Sequence, residues 1–314
     1  MFSFHTSAFK SIKPQNWKVI GFTVISAIML AIMTFASYIL LGLSTQGLQQ
    51  QQMQAQLGGG SGNTASAWLP VIAAIVLVAL LWILLAYPVF SSLIYMISKA
   101  TRGETVNIRD IFSTFFKGRY AKALLMGLIS VIMFIIYLII NGLIIYLYTE
   151  LLQLILKQFA QSLQNSSNQM TIFTTIQIIN GILTSLIIAI LTIILAMIVI
   201  NMTTSFVNDI NRNVGTNVKN GFKGIKNGHK TWFKFFIGTL LIWLISILIN
   251  HVLMPIIAIN TQQMSQNVVV IIMQTMRIIS MIVKVILFYI LTVGMVHYFN
   301  RNGKKPEKST KAYV

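Results

Sequence analysis

The 314-residue sequence has no cysteine and only five acidic residues, and both scarcities restrict its chemistry. Without cysteine the chain forms no disulfide, offers no thiolate to a metal and has no thiol nucleophile. The acids are Glu104, Asp110, Glu150, Asp209 and Glu307. Because they are scattered, a carboxylate pair for acid–base catalysis or cation binding would have to come from distant segments.

The four histidines do not replace these missing groups. They are His5, His229, His251 and His297, and none belongs to an HExxH motif or has a second ligand at helical spacing. A GxSxG nucleophile motif is also absent. We therefore expect no metal, no cofactor and no catalytic residue, and an enzyme ranks only third among the hypotheses.

Charge as a whole is scarce, while long apolar runs are abundant. Charged residues make up 9% of the chain and apolar residues 56%, whereas roughly 25% of a soluble domain is charged. Each of six runs exceeds the ~20 apolar residues that cross a hydrocarbon core. We place them at about 19–44, 68–97, 123–148, 174–202, 235–259 and 268–298. The sequence thus predicts an all-α, polytopic integral membrane protein with six transmembrane helices.

The positive charges alternate between the segments that connect these runs. Twenty of the 23 Lys and Arg residues lie in the N-terminal segment, in every second connecting segment and in the C-terminal tail. The other connections, 45–67, 149–173 and 260–267, contain only Lys157. Since short basic loops stay in the cytoplasm during insertion, we predict that both termini are cytoplasmic. The net charge of +18 suits contact with anionic lipid headgroups. Because the orientation in the membrane already explains why the cytoplasmic segments are basic, we expect no nucleic-acid partner.

A similar basic and aromatic segment precedes the first, third and fifth runs. Phe9, Phe112 and Phe222 begin these segments, and such a period indicates a repeated structural unit. We predict three hairpins, each preceded by a basic amphipathic interfacial helix. Together they would form one membrane domain of residues 1–300, followed by a basic cytoplasmic tail of residues 301–314.

The middle segment has the clearest amphipathic pattern. Its apolar residues follow the i, i+3, i+4, i+7, i+8 spacing of one helical face, namely Ile108, Ile111, Phe112, Phe115 and Phe116. We predict that this face lies among acyl chains at the inner interface. The segment is then either a connector that positions the next crossing, which we favour, or a regulatory or partner-binding helix.

The connections on the other side of the membrane differ from one another. Residues 45–67 are rich in Gln and Gly and carry no charge, so we expect a flexible, exposed loop. Residues 149–170 instead contain helically spaced apolar side chains and are expected to extend the third helix.

The sixth run contains two cations at membrane depth. Arg277 and Lys284 lie seven residues apart on one helical face, and Gln274 and Ser280 complete a polar stripe. A cation in the middle of a bilayer costs ~2.5–3.5 kcal/mol, so it faces the bundle or a cavity by default and marks a site. We expect Arg277 to form an ion pair with Glu150, because both belong to the outer half of the membrane.

Lys284 has no acid available at its depth. It must snorkel, bond to carbonyls and amides, or meet an anionic ligand such as a lipid phosphate. Four polar residues in or near the outer halves of their helices are candidates for the same region: Asn141, Asn180, Asn250 and His251. Together these residues form either a hydrogen-bond network between helices, which we favour, or a lipid or anion site.

Two basic stretches resemble a known family. Ala100-Thr101-Arg102-Gly103-Glu104 with the following phenylalanines, and Asn211 to Phe235 with Gly228-His229-Lys230 and Trp232, resemble an uncharacterised family of polytopic bacterial membrane proteins. Its superfamily includes the membrane domain attached to some glycerophosphodiester phosphodiesterases. The resemblance covers residues 98–140 and 203–250. It implies a six-helix membrane domain without an established activity, and it does not imply the phosphodiesterase reaction, since no counterpart of that catalytic domain is found.

The expected function is therefore non-enzymatic. We expect a role in cell-envelope or lipid homeostasis in the bacterial cytoplasmic membrane, by binding anionic lipid or by supporting envelope-polymer machinery such as that for teichoic acid. Expected partners are membrane lipids and other envelope membrane proteins. The alternative is a small permease whose solute passes the polar stripe of the sixth helix. Inverted repeats and broken helices would favour transport, whereas three parallel hairpins argue against it.

Overall fold

A computed structural model describes residues 2–56, 64–116, 118–164, 169–227, 230–261 and 264–304. These residues form helices and no strand, and six of the helices are long and apolar enough to cross a membrane, which confirms the all-α class and the predicted number of long apolar helices. The six helices are Ser3–Gln50, Trp68–Thr101, Tyr120–Gln158, Thr175–Asn208, Trp232–Asn260 and Gln266–Asn300.

The long helices are built from shorter elements that follow one another along the chain. The α-helices are α1 (Ser3–Ile12), α2 (Asn16–Gln56), α3 (Thr64–Leu81), α4 (Tyr87–Thr101), α5 (Tyr120–Gln164), α6 (Gln169–Asn208), α7 (Val214–Lys226), α8 (Trp232–Leu248), α9 (Met254–Asn260) and α10 (Gln266–Asn300). Lys13–Gln15 and Ile108–Phe115 are 3-10 helices, while Trp82–Ala86 and Ile249–Leu253 are π-helical.

Two helices extend past the predicted membrane boundaries. α2 continues to Gln56, so the prediction of a loop was wrong for residues 45–56. These residues are mostly Gln, Leu, Ala and Met, which have good helix propensity. Residues 57–63 of the predicted loop lie outside the described residues. α5 continues to Gln164, which confirms that the third helix is extended.

Each π-helical segment comes directly before a proline-containing turn. The amide of Tyr87 donates to the carbonyl of Trp82, five residues earlier, and Met254 donates in the same way to Ile249. Pro88 and Pro255 follow at the next positions. Because proline lacks an N–H and its ring collides with the carbonyl four residues earlier, a wider turn relieves the collision at both places.

The chain packs as two compact units. The first comprises Met1–Lys10, Met133–Met202 and Val218–Val314, and the second comprises Ser11–Ile132 and Thr203–Asn217. The single domain of residues 1–300 and the separate tail stay predictions. Most of that tail, residues 305–314, lies outside the described residues.

The core of the second unit is α4, which contacts α2 and the 3-10 helix Ile108–Phe115. Polar contacts fix the connection between α4 and this short helix. Gln15 accepts the amide of Val106 at 2.7 Å and donates to the carbonyl of Glu104 at 2.9 Å. Lys99 of α4 forms an ion pair with Asp110 at 3.0 Å. These contacts attach the short helix to α4. The short helix comes just before the third long helix in the sequence.

The segment predicted as an amphipathic α-helix is this 3-10 helix, and its apolar residues do not share one buried face. Ile111 is buried, whereas Ile108, Phe112 and Phe116 are exposed and Phe115 is half-buried. In a 3-10 helix, residues three apart lie in one row. The row that packs against α4 therefore contains Ile111 and Thr114, and Thr114 accepts a hydrogen bond from Ser91 at 2.9 Å.

In the first unit, α7 packs very closely on α6. A methyl group at Gly221 would lie 2.8 Å from Cβ of Met202 and 2.9 Å from the carbonyl oxygen of Ile198. One turn later, a methyl group at Gly224 would lie 2.8 Å from the side-chain amide of Asn201. The two glycines thus permit contact between helices at backbone distance.

Candidate functional site

The candidate site is a cavity of about 480 Å³ in the first unit. Its walls come from α6, from α8 with the π-helical segment that follows it, and from α10. The polar lining residues are Ser185, Ser246, Asn250, His251 and Lys284, and the apolar ones are Ile188, Trp243, Ile247, Leu287 and Phe288. Lys284 is therefore the one lysine or arginine among these lining residues, and the others are polar or apolar.

The π-helical segment supplies two neighbouring residues, Asn250 and His251, to this cavity. His251 lies across from α6, where its Nε2 is 2.6 Å from the hydroxyl of Ser185. The imidazole also contacts the backbone of α6 at Gly181, since a methyl group there would lie 2.6 Å from Nδ1. Because glycine has no side chain, it leaves room for the imidazole ring at this position.

Asn250 connects the π-helical segment to α10. Its side-chain amide donates to the carbonyl of Ser246 at 2.8 Å, and its carbonyl oxygen is 3.5 Å from the hydroxyl of Ser280. Ser280 is only 6% exposed. A polar group inside an apolar bundle is costly unless it finds a partner, so the bond between Ser280 and Asn250 stabilises the packing of the two helices at the cavity.

Lys284 is an exposed lining residue of the cavity and lies near the middle of its helix. It is 16 residues from Asn300, or about 24 Å along the axis, and 18 residues from Gln266, or about 27 Å. Ion pairs among the described residues join Lys99 to Asp110, Arg102 to Glu104 and Arg212 to Asp209. Lys284 is in none of them and has only neutral polar groups around it.

The other two residues of the predicted polar stripe lie outside the cavity. Gln274 and Arg277 are both exposed and form no hydrogen bond within the described part of the chain. The expected ion pair between Arg277 and Glu150 is not formed, and Glu150 is exposed as well. An exposed ion pair contributes only about 0–1 kcal/mol, which is too little to hold two long side chains together.

The remaining candidates contribute to helix packing. Asn180 accepts a hydrogen bond from Tyr148 at 2.9 Å, which connects α6 to α5, and Tyr137 and Thr192 form a second such bond at 2.9 Å. The carbonyl oxygen of Asn141 is buried without a hydrogen-bond partner in the described part of the chain, and Asn141 does not line the cavity. Asn180 thus takes part in a bond between helices, and the hydrogen-bond network of all eight predicted residues stays a prediction.

Four predicted residues thus come together at one place, namely Asn250, His251, Ser280 and Lys284, whereas Asn141, Asn180, Gln274 and Arg277 do not. Ser185 and Trp243 were missed by the sequence reasoning. Ser185 could have been noticed only as one of several polar residues within the apolar run 174–202. Trp243 gave no comparable pattern.

The chemistry of the cavity favours binding of an anion. Lys284 supplies the positive charge, while Ser185, Ser246 and Asn250 supply neutral polar groups. Among the described residues no carboxylate lines it, so the bond between Ser185 and His251 is not part of a Ser-His-Asp triad there. The apolar walls suit the hydrocarbon part of the same ligand.

No protein-family model, no curated protein and no solved structure matches this chain. The family resemblance of residues 98–140 and 203–250 therefore stays a prediction, and Gly228 and His229 of its second stretch lie outside the described residues. The function has to be inferred from the chemistry of the cavity and the distribution of charge.

Proposed function

We propose that the protein spans the bacterial cytoplasmic membrane six times, in three hairpins, with both termini in the cytoplasm. Six long apolar helices and the alternation of basic segments support this topology. α1, the 3-10 helix Ile108–Phe115 and α7 precede successive pairs of long helices and lie at the inner interface. In that position the exposed side chains of Ile108, Phe112 and Phe116 reach acyl chains.

Single cysteines introduced into this cysteine-free chain test the topology. Ser61→Cys and Gln263→Cys should react with a membrane-impermeant maleimide in intact cells, because both positions lie in segments predicted to be outside. Ser309→Cys should react only after the cells are opened. Labelling of Ser309→Cys in sealed cells would refute the orientation. The three positions lie outside the described residues, so the experiment adds information that the structure does not hold.

We infer that the cavity around Lys284 binds the phosphate of an anionic lipid and that the protein acts in envelope or lipid homeostasis without catalysing a reaction. The observation that carries this proposal is a cation at mid-helix that has no carboxylate partner within the described residues and lines a cavity with Ser185, Asn250 and His251. An uncompensated cation at that depth costs ~2.5–3.5 kcal/mol, which a bound phosphate offsets.

The walls of the cavity explain why the anion would belong to a lipid. Ile188, Leu287 and Phe288 line it beside Lys284, and they offer contact to acyl chains while the polar residues reach the phosphate. A protein with this property would hold or present an anionic lipid to machinery for envelope polymers. Membrane lipids, and other envelope membrane proteins that use them, are then its partners.

Lys284→Met should reduce anionic lipid that co-purifies with the protein by about fivefold or more, because one basic residue contributes ~1 kcal/mol to the attraction for an anionic headgroup. The melting temperature should stay the same or rise, since an uncompensated cation is removed from the middle of an apolar helix. Mass spectrometry of lipid extracted from the purified protein measures the amount of bound lipid. Thermal unfolding measures the melting temperature.

Arg277→Met is the matched control for this experiment. It removes a cation from the same helix, seven residues away and outside the cavity, and should leave bound lipid unchanged. If both variants lose lipid equally, the attraction is a general effect of charge. If neither loses lipid, Lys284 only snorkels or packs between helices, and the proposed function fails.

A small permease is the second candidate, and the π-helical segments favour it. Broken helices are typical of membrane transporters, and the second and fifth long helices each contain a wider, π-helical turn, at Trp82–Ala86 and Ile249–Leu253. Asn250 and His251 belong to the second of these turns. In that case Lys284→Met would abolish solute flux into proteoliposomes and leave the bound lipid unchanged.

A further inference from the structure

A second cavity, of about 570 Å³, lies in the first unit where α7 and α10 end. It is lined by Phe222, Lys223, Ile225, Lys226, Asn227 and Asn302. α7 belongs to the basic segment that we place in the cytoplasm, and it ends six residues before α8 begins. The cavity is therefore at the opposite end of α10 from Arg277 and is separate from the site around Lys284.

The structure fixes the shape of this cavity through contacts between the two helix ends. Asn227 and Asn302 both adopt left-handed backbone conformations, with φ of 43° and 49°. Tyr298 donates to the carbonyl of Ile225 at 3.1 Å, and Thr231 donates to the carbonyl of Gly303 at 2.6 Å. These bonds hold the two asparagine-containing turns beside each other, so the polar lining is built in place.

The lining has donors and positive charge that lack partners. Lys223 and Lys226 are exposed and belong to no ion pair within the described part of the chain. The amide nitrogen of Asn227 is buried and has no hydrogen-bond partner there. A phosphate provides only acceptors and negative charge, so it complements both kinds of group.

We propose that this cavity binds the phosphate of an anionic phospholipid from the cytoplasmic leaflet, with Lys223 and Lys226 as countercharges and Asn227 as a hydrogen-bond donor. This is a second lipid site, about 24 Å along α10 from Lys284. It does not depend on the function proposed for Lys284.

The surroundings select a lipid over a free phosphate ion. Phe222 is 52% exposed at the cavity, and Phe233 near the start of the next span is 57% exposed. Exposed aromatic side chains beside lysines are typical of segments at the membrane interface. They place the two lysines at the depth of lipid phosphates, where each basic residue strengthens binding.

The test is a titration of delipidated, full-length protein in detergent, observed by native mass spectrometry. The probes are dioctanoyl phosphatidylglycerol, dioctanoyl phosphatidylcholine and inorganic phosphate. The variants are made in the Lys284→Met background so that the other site does not contribute. The double variant Lys223→Gln, Lys226→Gln should bind phosphatidylglycerol roughly 10- to 30-fold more weakly, since two basic residues near the phosphate are lost.

The double variant Lys219→Gln, Lys234→Gln is the matched control. It removes the same charge from two exposed residues of α7 and α8 that do not line the cavity, and binding should weaken less than about threefold. Asn227→Gly keeps the left-handed backbone but removes the donor, and should weaken binding severalfold.

Three results would overturn the proposal. Equal losses in the two double variants would show diffuse attraction to a basic surface. Equal affinity for phosphatidylcholine and phosphatidylglycerol would show that net charge is not recognised. Inorganic phosphate is the third probe. If it displaces the lipid, and if the Lys223→Gln, Lys226→Gln variant binds it more weakly, the cavity binds a soluble anion and not a lipid. Selective loss of phosphatidylglycerol in that variant supports the lipid site.

Discussion

Replacing Phe235 by alanine is expected to lower the free energy of unfolding by about 2–4 kcal/mol. Phe235 is 0% exposed. Its ring stacks on Tyr298 at a centroid distance of 4.3 Å, and it meets Phe4 of α1 edge-on at 5.7 Å. His5 stacks on it from the same helix at 5.2 Å. The residue thus joins α1, α8 and α10.

The expected value lies below the range for soluble proteins for a physical reason. Phe→Ala in a water-soluble core costs ~3–5 kcal/mol, part of which is transfer of the ring from water. A membrane protein unfolds into lipid or detergent that is itself apolar, so that part shrinks and the lost packing remains. The stacked geometry with Tyr298 adds about 0.5–1.5 kcal/mol beyond contact area.

Unfolding in mixed micelles of increasing denaturing-detergent fraction measures this loss. Phe233→Ala is the control, because Phe233 lies two residues away on α8 and is 57% exposed; it should cost less than about 1 kcal/mol. Cleavage of α1 by added protease should rise in Phe235→Ala only. Similar losses in the two variants would contradict the buried aromatic cluster.

Gly221→Ala is expected to destabilise the protein by about 1–3 kcal/mol, although alanine is the better helix former by ~1 kcal/mol. The added methyl would lie 2.9 Å from the carbonyl oxygen of Ile198. A backbone atom within a helix cannot move aside, so α7 must shift away from α6.

Gly142→Ala is the matched control for this prediction. A methyl group at Gly142 on α5 meets no atom within 4 Å, so only the helix propensity changes and stability should stay the same or rise by up to about 1 kcal/mol. The same detergent titration measures both variants. A stabilising effect of Gly221→Ala would show that α7 does not pack on α6 at backbone distance.

The sequence determined the class of this protein. Apolar runs long enough to cross a bilayer are a property of the chain itself, since in lipid each backbone polar group must find its partner within a helix. Six such helices were therefore predictable, and so was the extension of the third helix through residues 149–164. The prolines that accompany the π-helical segments, Pro88 and Pro255, are also visible in the sequence, but the sequence did not show that the helix widens before each.

The grouping of the polar residues was decided by the tertiary structure. In the sequence Arg277 and Lys284 gave the strongest signal, but hydropathy did not show which of the other six polar candidates lie beside them. Close approach at Gly181 brought His251 to Ser185, whereas Arg277, two turns before Lys284 on the same face of α10, lies outside the cavity. The middle basic segment, predicted as an α-helix, is likewise a 3-10 helix, in which Thr114 packs against Ser91. A pattern along one helix shows which side chains share a face, but only packing against other helices shows what that face meets.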